Sequence, residues 1–244
     1  MKKIAIMQPT YLPWIGYFAL MAAVDEFVFL DDVQFARRSW QQRNRVKGAG
    51  GELMLTVPVF KKGKRDQPIG EVEIDWSSGF ASKHARTIET AYAKASHADE
   101  HWPTISKILN QETPLLADYT IALIERLRSA FGIKTSLLRS SQLQLSGKRE
   151  HRLVAICEAR GAGTYISPTG SQDYLDGSDA FQRAGIELFY NDYAHPAYPQ
   201  LHGAFMSHLS AVDLLLNCGG ASLDILNSGT QLTADNAMSS QLDG

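Results

Sequence analysis

The chain has 244 residues, 44% hydrophobic and 20% charged, with a net charge of −2. That length and mixture allow a substantial buried core and exclude a disordered chain, and no apolar stretch reaches the length of a membrane span. Two cysteines, Cys157 and Cys218, stand far apart without a pairing pattern and point to a reduced, cytoplasmic protein.

The basic start is followed by only four apolar residues, Ile4 to Met7, before Gln8-Pro9. That is too short for a secretory leader and reads as a buried strand over residues 3–7. Pro9 and Pro13 force a loop, because proline lacks an N–H and restricts the residue before it. From residue 14 to 24 Trp14, Tyr17, Phe18 and Met21 recur at helical spacing. Phe27 to Leu30 is then an apolar run of strand length closed by Asp31-Asp32. Strand, helix and strand in that order predict a parallel βαβ unit.

Residues 36–51 are polar and basic with little periodicity. Residues 53–60 and 69–74 read as an antiparallel hairpin around a charged turn at 61–68. Helices are expected over 82–95, 102–110 and 113–131. In the last, Thr113 would be the N-cap, Pro114 the first helical residue and Gly132 the terminator. Alternation then returns: strands at 134–139, 164–167 and 186–190, helices at 149–160, 178–184 and 210–217. Strands alternating with helices predict an α/β fold, a mostly parallel sheet flanked by helices, with an inserted β-hairpin and helical segment at about 36–112. Residues 1–229 read as a single domain and 230–244 as a flexible polar tail.

Ligands of open parallel sheets bind outside the carboxyl ends of the strands. Three loops fall there. The first, Gln8 to Gly16, leads into a helix N-terminus that favours an anion; Gln8, Thr10 and Tyr11 are candidate contacts. Gly16 would permit close approach of a ligand or of a neighbouring strand, while Trp14 and Tyr17 also suit the core. The second loop starts at Asp31 and Asp32, which suit a divalent cation, sugar hydroxyls or simple capping. The third, Ser167 to Tyr174, offers Ser167 and Thr169 as a phosphate cradle or an N-cap turn, without the lysine of a P-loop.

Charge is uneven. Between Arg37 and Arg65 nine basic residues face one acid, Glu52, so this segment carries +8 and the remainder −10. It is either a solvated basic loop or the seat of an anionic ligand such as a phosphate or nucleotide-linked sugar. Arg43, Asn44 and Arg45 are its candidate contacts, since arginine's planar fork suits phosphate. Nucleic acid is disfavoured, because aromatics do not interleave the basic residues. His84, on a predicted helix, is a candidate base with a near-neutral reference pKa, or a structural histidine. His202 and His208 lack metal-ligand spacing. Asp213, three residues after Ser210, fits a capping box.

At these residues the chain resembles a known family. Ile6-Met7-Gln8-Pro9-Thr10-Tyr11-Leu12-Pro13-Trp14-Ile15-Gly16-Tyr17-Phe18 is similar to the opening of the WbqC-like proteins. So are Asp31-Asp32-Val33-Gln34-Phe35, Ser39-Trp40-Gln41-Gln42-Arg43-Asn44, Lys83-His84, Tyr165-Ile166-Ser167, Tyr198-Pro199-Gln200 and the segment from Ser210 to Asn217. The resemblance implies a role in bacterial O-antigen or other surface-polysaccharide biosynthesis. It implies a transferase placing an acyl or aminoacyl group on an amino-sugar nucleotide. The alternatives are a non-catalytic sugar-nucleotide or glycan-binding protein and a nucleotidyltransferase. The resemblance leaves the cofactor open, with ATP and Mg2+ or coenzyme A as the candidates. In this picture Gln8, Thr10 and Gly16 shape the pocket and Arg43 and Arg45 hold phosphate. Asp31 or Asp32 binds hydroxyls or a metal, and His84 is the base.

A looser likeness concerns mechanism. Trp14-Ile15-Gly16-Tyr17 stands where nucleotidyltransferase-like α/β proteins carry His-Ile-Gly-His, and Ile166-Ser167-Pro168-Thr169 resembles their serine-rich phosphate loop. Pantothenate synthetase, of that group, activates a carboxylate by adenylation and passes it to an amine. Here aromatics replace both histidines, which argues against adenylation.

Overall fold

The computed structural model describes residues 1–61, 63–64, 66–175 and 178–235. Lys62 and Arg65 of the basic segment, and residues 236–244 of the expected tail, lie outside the described residues.

The opening unit forms as its pattern predicts: β1 (Lys3–Met7), α1 (Ile15–Ala22) and β2 (Glu26–Phe29), with β1 and β2 parallel. The hairpin lies earlier than expected. It is β3 (Arg43–Gly48) paired antiparallel with β4 (Gly51–Thr56), turning where Gly51 adopts φ +110°. The expected strands at 53–60 and 69–74 meet only at a single bridge, Val59 to Ile74. The shift has a physical cause. The buried positions of β3 are Asn44, Val46, Lys47 and Gly48, which break any apolar alternation, while Arg43 and Arg45 are half-buried.

Three helices follow: α2 (Phe80–Tyr92), α3 (Ala98–Leu109) and α4 (Leu116–Ala130). Thr113 is not the N-cap of α4. The helix begins at Leu116, and the Pro114 carbonyl instead accepts from the Ile74 N–H, so Thr113 and Pro114 remain in the connection. Then come β5 (Ser136–Arg139), α5 (Arg149–Ala159), β6 (Thr164–Pro168), α6 (Gln172–Leu175), α7 (Ala180–Arg183) and β7 (Glu187–Asn191). The chain continues through α8 (Ala211–Cys218), α9 (Ser222–Ser228) and β8 (Leu232–Ala234). This last strand, in the region expected to be a tail, adds antiparallel to the edge at β7.

The main sheet has the order β5-β2-β1-β6-β7-β8, parallel except for β8; β3 and β4 form a separate two-stranded sheet. Both faces of the main sheet are covered, and side-chain alternation divides them. Ala5, Phe27, Phe29 and Ile166 pack with α1, α4 and α8. Ile4, Ile6, Val28 and Tyr165 pack with α5 and α7. The chain runs outward from β1 through β2 to β5, then returns to β6 on the other side of β1. The strand order therefore reverses at β1, which makes its carboxyl end the switch point where such sheets open a crevice.

Candidate functional site

The loop after β1 is held from two directions. From the segment before β3, the Trp40 carbonyl accepts from Tyr11 N–H at 3.0 Å and Gln41 Nε2 donates to Gln8 Oε1 at 2.6 Å; from β3 itself, Asn44 Nδ2 donates to the Leu12 carbonyl at 2.7 Å. From α8, Ala211 N–H donates to the Pro13 carbonyl at 2.7 Å. Leu12 is held at φ +45°, a conformation that L residues rarely adopt.

A cavity of about 340 Å³ opens between this loop and β3. Met7, Thr10 and Pro13 line it from the strand end and loop, Trp14 and Tyr17 from α1 and its cap. Trp40, Asn44 and Arg45 form the opposite wall, and His208 closes one side. The indole of Trp14 stacks on His208 with centroids 5.0 Å apart and on His195 at 6.0 Å, and Tyr193 meets it edge-on at 5.3 Å. Trp40 is 50% exposed, and the guanidinium carbons of Arg43 and Arg45 each lie 5.8 Å from its ring centroid. Arg45 also donates to Glu52 at 2.7 Å and to the His208 carbonyl at 3.1 Å. Arg43 Nε is buried and has no acceptor among the described residues. An N–H left in that state is costly unless something outside the protein satisfies it.

Gly16 has a different role from either of those expected. A Cβ there would collide with the six-membered ring of Trp14, so the close approach it permits is that of the neighbouring indole. No side chain caps α1. The residue before the helix thus folds an aromatic ring back over it and forms one wall of the cavity.

His84 lies elsewhere. It is 8% exposed, packs against Phe80 and Tyr11, and its Nδ1 shares a 2.8 Å hydrogen bond with the Tyr11 hydroxyl. Burial pushes its pKa down to about 4, so the ring is neutral at pH 7. Neither His84 nor Tyr11 lines the cavity.

The two aspartates after β2 are occupied within the fold. Asp31 accepts from the Ser141 N–H at 3.0 Å and hydroxyl at 2.9 Å; Asp32 accepts from the Ser140 hydroxyl at 2.7 Å and from Arg152. These bonds join the end of β2 to the segment after β5 and to α5. Among the described residues no group of three or more His, Cys, Asp or Glu stands together. Ser167 is fully buried under the Tyr165 hydroxyl, and Thr169 sits in a short 3-10 turn; neither lines the cavity.

The structure therefore brings together Thr10, Asn44 and Arg45 of the predicted site. Gln8, Gly16 and Arg43 stand immediately beside them, and Asp31, Asp32, His84, Ser167 and Thr169 are placed apart. In the sequence His208 was weighed only for metal-ligand spacing, and His195 was not singled out. The available signal was the density of Tyr193, His195, Tyr198, His202, Phe205 and His208 within one proline-containing loop. Asp213 does not complete a capping box. Ser210 caps α8 by accepting from Val212 N–H, while Asp213, fully buried, accepts from the Tyr92 hydroxyl and Gln200 Nε2, both at 2.8 Å.

No helix among the described residues is long and apolar enough to cross a membrane. No solved structure matches the chain. A Mycobacterium tuberculosis protein titled uncharacterized protein Rv1507c is 36% identical over 228 residues, which is 93% of this chain and 98% of that one. The family model of the WbqC-like proteins matches residues 8–225, from the loop after β1 into α9. With the match covering residues 8–225, which include the loop after β1, α1, β3 and His208, the chain belongs to the WbqC-like protein family.

Proposed function

We propose that this protein is a transferase that binds a nucleotide-linked amino sugar in the cavity beside β1 and places an acyl or aminoacyl group on its amine, in the assembly of a bacterial surface polysaccharide. The observation that carries this reading is the wall formed by Trp40 and Arg45, with the Arg43 guanidinium against the same indole. An exposed indole offers a ring a stacking face, and two guanidiniums offer phosphates their forks. At about 340 Å³ the cavity is at the small end of the roughly 300–1,000 Å³ found for small-molecule clefts. It admits one ring and leaves the phosphates at the arginine-lined side. Thr10 and Asn44 supply neutral polar contacts for hydroxyls. Adenylation is the weaker reading, because Trp14 and Tyr17 line the cavity where that chemistry needs imidazoles.

A second reading, a sugar-nucleotide-binding protein without chemistry of its own, draws on the placement of His84, Asp31 and Asp32 in internal hydrogen bonds. Thermal shift against UDP-sugars, ATP and coenzyme A separates these readings. Stabilisation by a nucleotide sugar that disappears in Arg45→Ala supports the cavity as its site. An added shift with coenzyme A points to direct acyl transfer, and one with ATP to activation. If no nucleotide sugar stabilises the chain, the proposal fails.

A further inference from the structure

Acyl transfer to an amine needs a proton acceptor, and His84 does not line the cavity. His208 does, from a loop that β3 grips closely. Its carbonyl accepts from Arg45 Nε at 3.1 Å, and two residues on, Ser210 N–H donates to the Arg45 carbonyl at 2.9 Å. His208 is held at φ +59°, a left-handed backbone that L side chains rarely adopt and that tends to persist where surrounding structure and function require it. Its imidazole is fixed between rings, 5.0 Å from Trp14 and 5.1 Å from His195. Nδ1 pairs with the Ser207 hydroxyl at 2.8 Å, and Nε2 has no partner among the described residues. The residue is exposed, so that nitrogen is within reach of a bound molecule.

We infer that His208 is the proton acceptor of the transfer site, with Nδ1–H donating to the Ser207 hydroxyl and the free Nε2 lone pair facing the amine of the bound sugar. The assignment rests on the reading of the cavity as a nucleotide-sugar site. In the step it serves, the amine nitrogen attacks the carbonyl carbon of an activated acyl donor, a thioester or an acyl phosphate. The N–C bond forms, and the bond from that carbon to sulfur or to phosphate oxygen breaks with its electron pair on the leaving group. The amine's proton passes to Nε2 and from there to the leaving group or to water. Burial, followed by the Arg45 charge, lowers the His208 pKa and keeps the ring in the neutral form that can accept. His195, whose Nδ1 is taken by the Pro196 carbonyl at 3.0 Å, backs the ring as a positioning residue.

Calorimetric titration of the full chain with UDP, UDP-glucose and UDP-glucosamine tests this, together with diethyl pyrocarbonate labelling read by peptide mass mapping. The wild type is expected to bind UDP-glucosamine about tenfold more tightly than UDP-glucose, the size of one hydrogen bond to a charged group. His208→Phe, which keeps a ring against Trp14, loses the preference for UDP-glucosamine over UDP-glucose; His84→Gln, outside the cavity, keeps it. Diethyl pyrocarbonate modifies His208 ahead of His84, and UDP-glucosamine protects His208. Equal affinity for the two sugars, or a preference that survives in His208→Phe, overturns the assignment while leaving the nucleotide-sugar site standing. Failure of UDP and both sugars to bind overturns the site and the assignment together.

Discussion

His84 and Gly16 show how single residues are committed to the fold around the cavity rather than to the ligand. The buried His84 ring resists protonation until about pH 4, whereas in the unfolded chain it titrates near 6.5. Unfolding therefore takes up a proton between those values, so stability falls as pH drops from about 6.5 to 4 and levels off below. The shift corresponds to about 3 kcal/mol over the window. Urea denaturation at pH 7.5 and pH 4.5 should show a smaller loss in His84→Gln than in wild type; an equal loss would refute the account of this group. Gly16→Ala sets two effects against each other. Alanine favours the helix by about 1 kcal/mol, but its Cβ collides with the Trp14 indole, and overpacking of that kind costs about 1–3 kcal/mol. The collision wins if Trp14 is pinned by its stacks on His208 and His195. A lowered Tm with weakened ligand binding is expected, and an unchanged or raised Tm would contradict it.

At the scale of elements, the insert and the 192–210 loop build the site jointly, and a buried lysine joins them. Lys47 on β3 is 2% exposed, and its Nζ donates to the Ala204 carbonyl at 2.6 Å, to Gln200 Oε1 at 3.2 Å and to the Gly203 carbonyl at 3.4 Å. Gln200 passes the connection on to Met206, through both its N–H and its carbonyl, and to Asp213. Lys47→Met removes the donor from three acceptors at a cost of about 1–3 kcal/mol. Because residues 202–205 are exposed, the loss should be local. Hydrogen exchange should show the Met206 amide losing protection while the amides of β1 keep theirs; a uniform loss across the sheet would mean that Lys47 supports the whole fold. Elements with apolar periodicity, such as β1, α1, β2 and α5, were legible in sequence to within a few residues. The hairpin was not, because β3 buries Asn44 and Lys47, whose partners Leu12 and Ala204 lie far away in the chain. The Thr113 signal misled for a related reason: backbone pairing of Ile74 with Pro114 delays the start of α4.

Across the whole molecule, the reversal of strand order at β1 puts the crevice of the sheet at the carboxyl end of that strand; the alternation of strands and helices made the parallel sheet legible from the sequence, but not its strand order. Thr10 was singled out because its loop follows the first strand, and Asn44 and Arg45 because their segment is rich in arginine; the structure brings the three to one cavity. Asp31 and Asp32 follow the neighbouring strand in the same way, yet their carboxylates are consumed by Ser140, Ser141 and Arg152 from the far side of the insert. Nothing local in the chain announces those bonds. His208 was weighed in the sequence only for metal-ligand spacing, because it reaches the cavity through a loop without regular structure far along the chain. The central claim is that the cavity between the Gln8–Gly16 loop and β3 is the ligand site. Hydrogen–deuterium exchange of the full chain with and without UDP-glucosamine tests it most directly. The account predicts added protection confined to residues 8–17, 39–46 and 205–210; protection centred on His84 or on the Asp31–Ser141 cluster, or none anywhere, would contradict it.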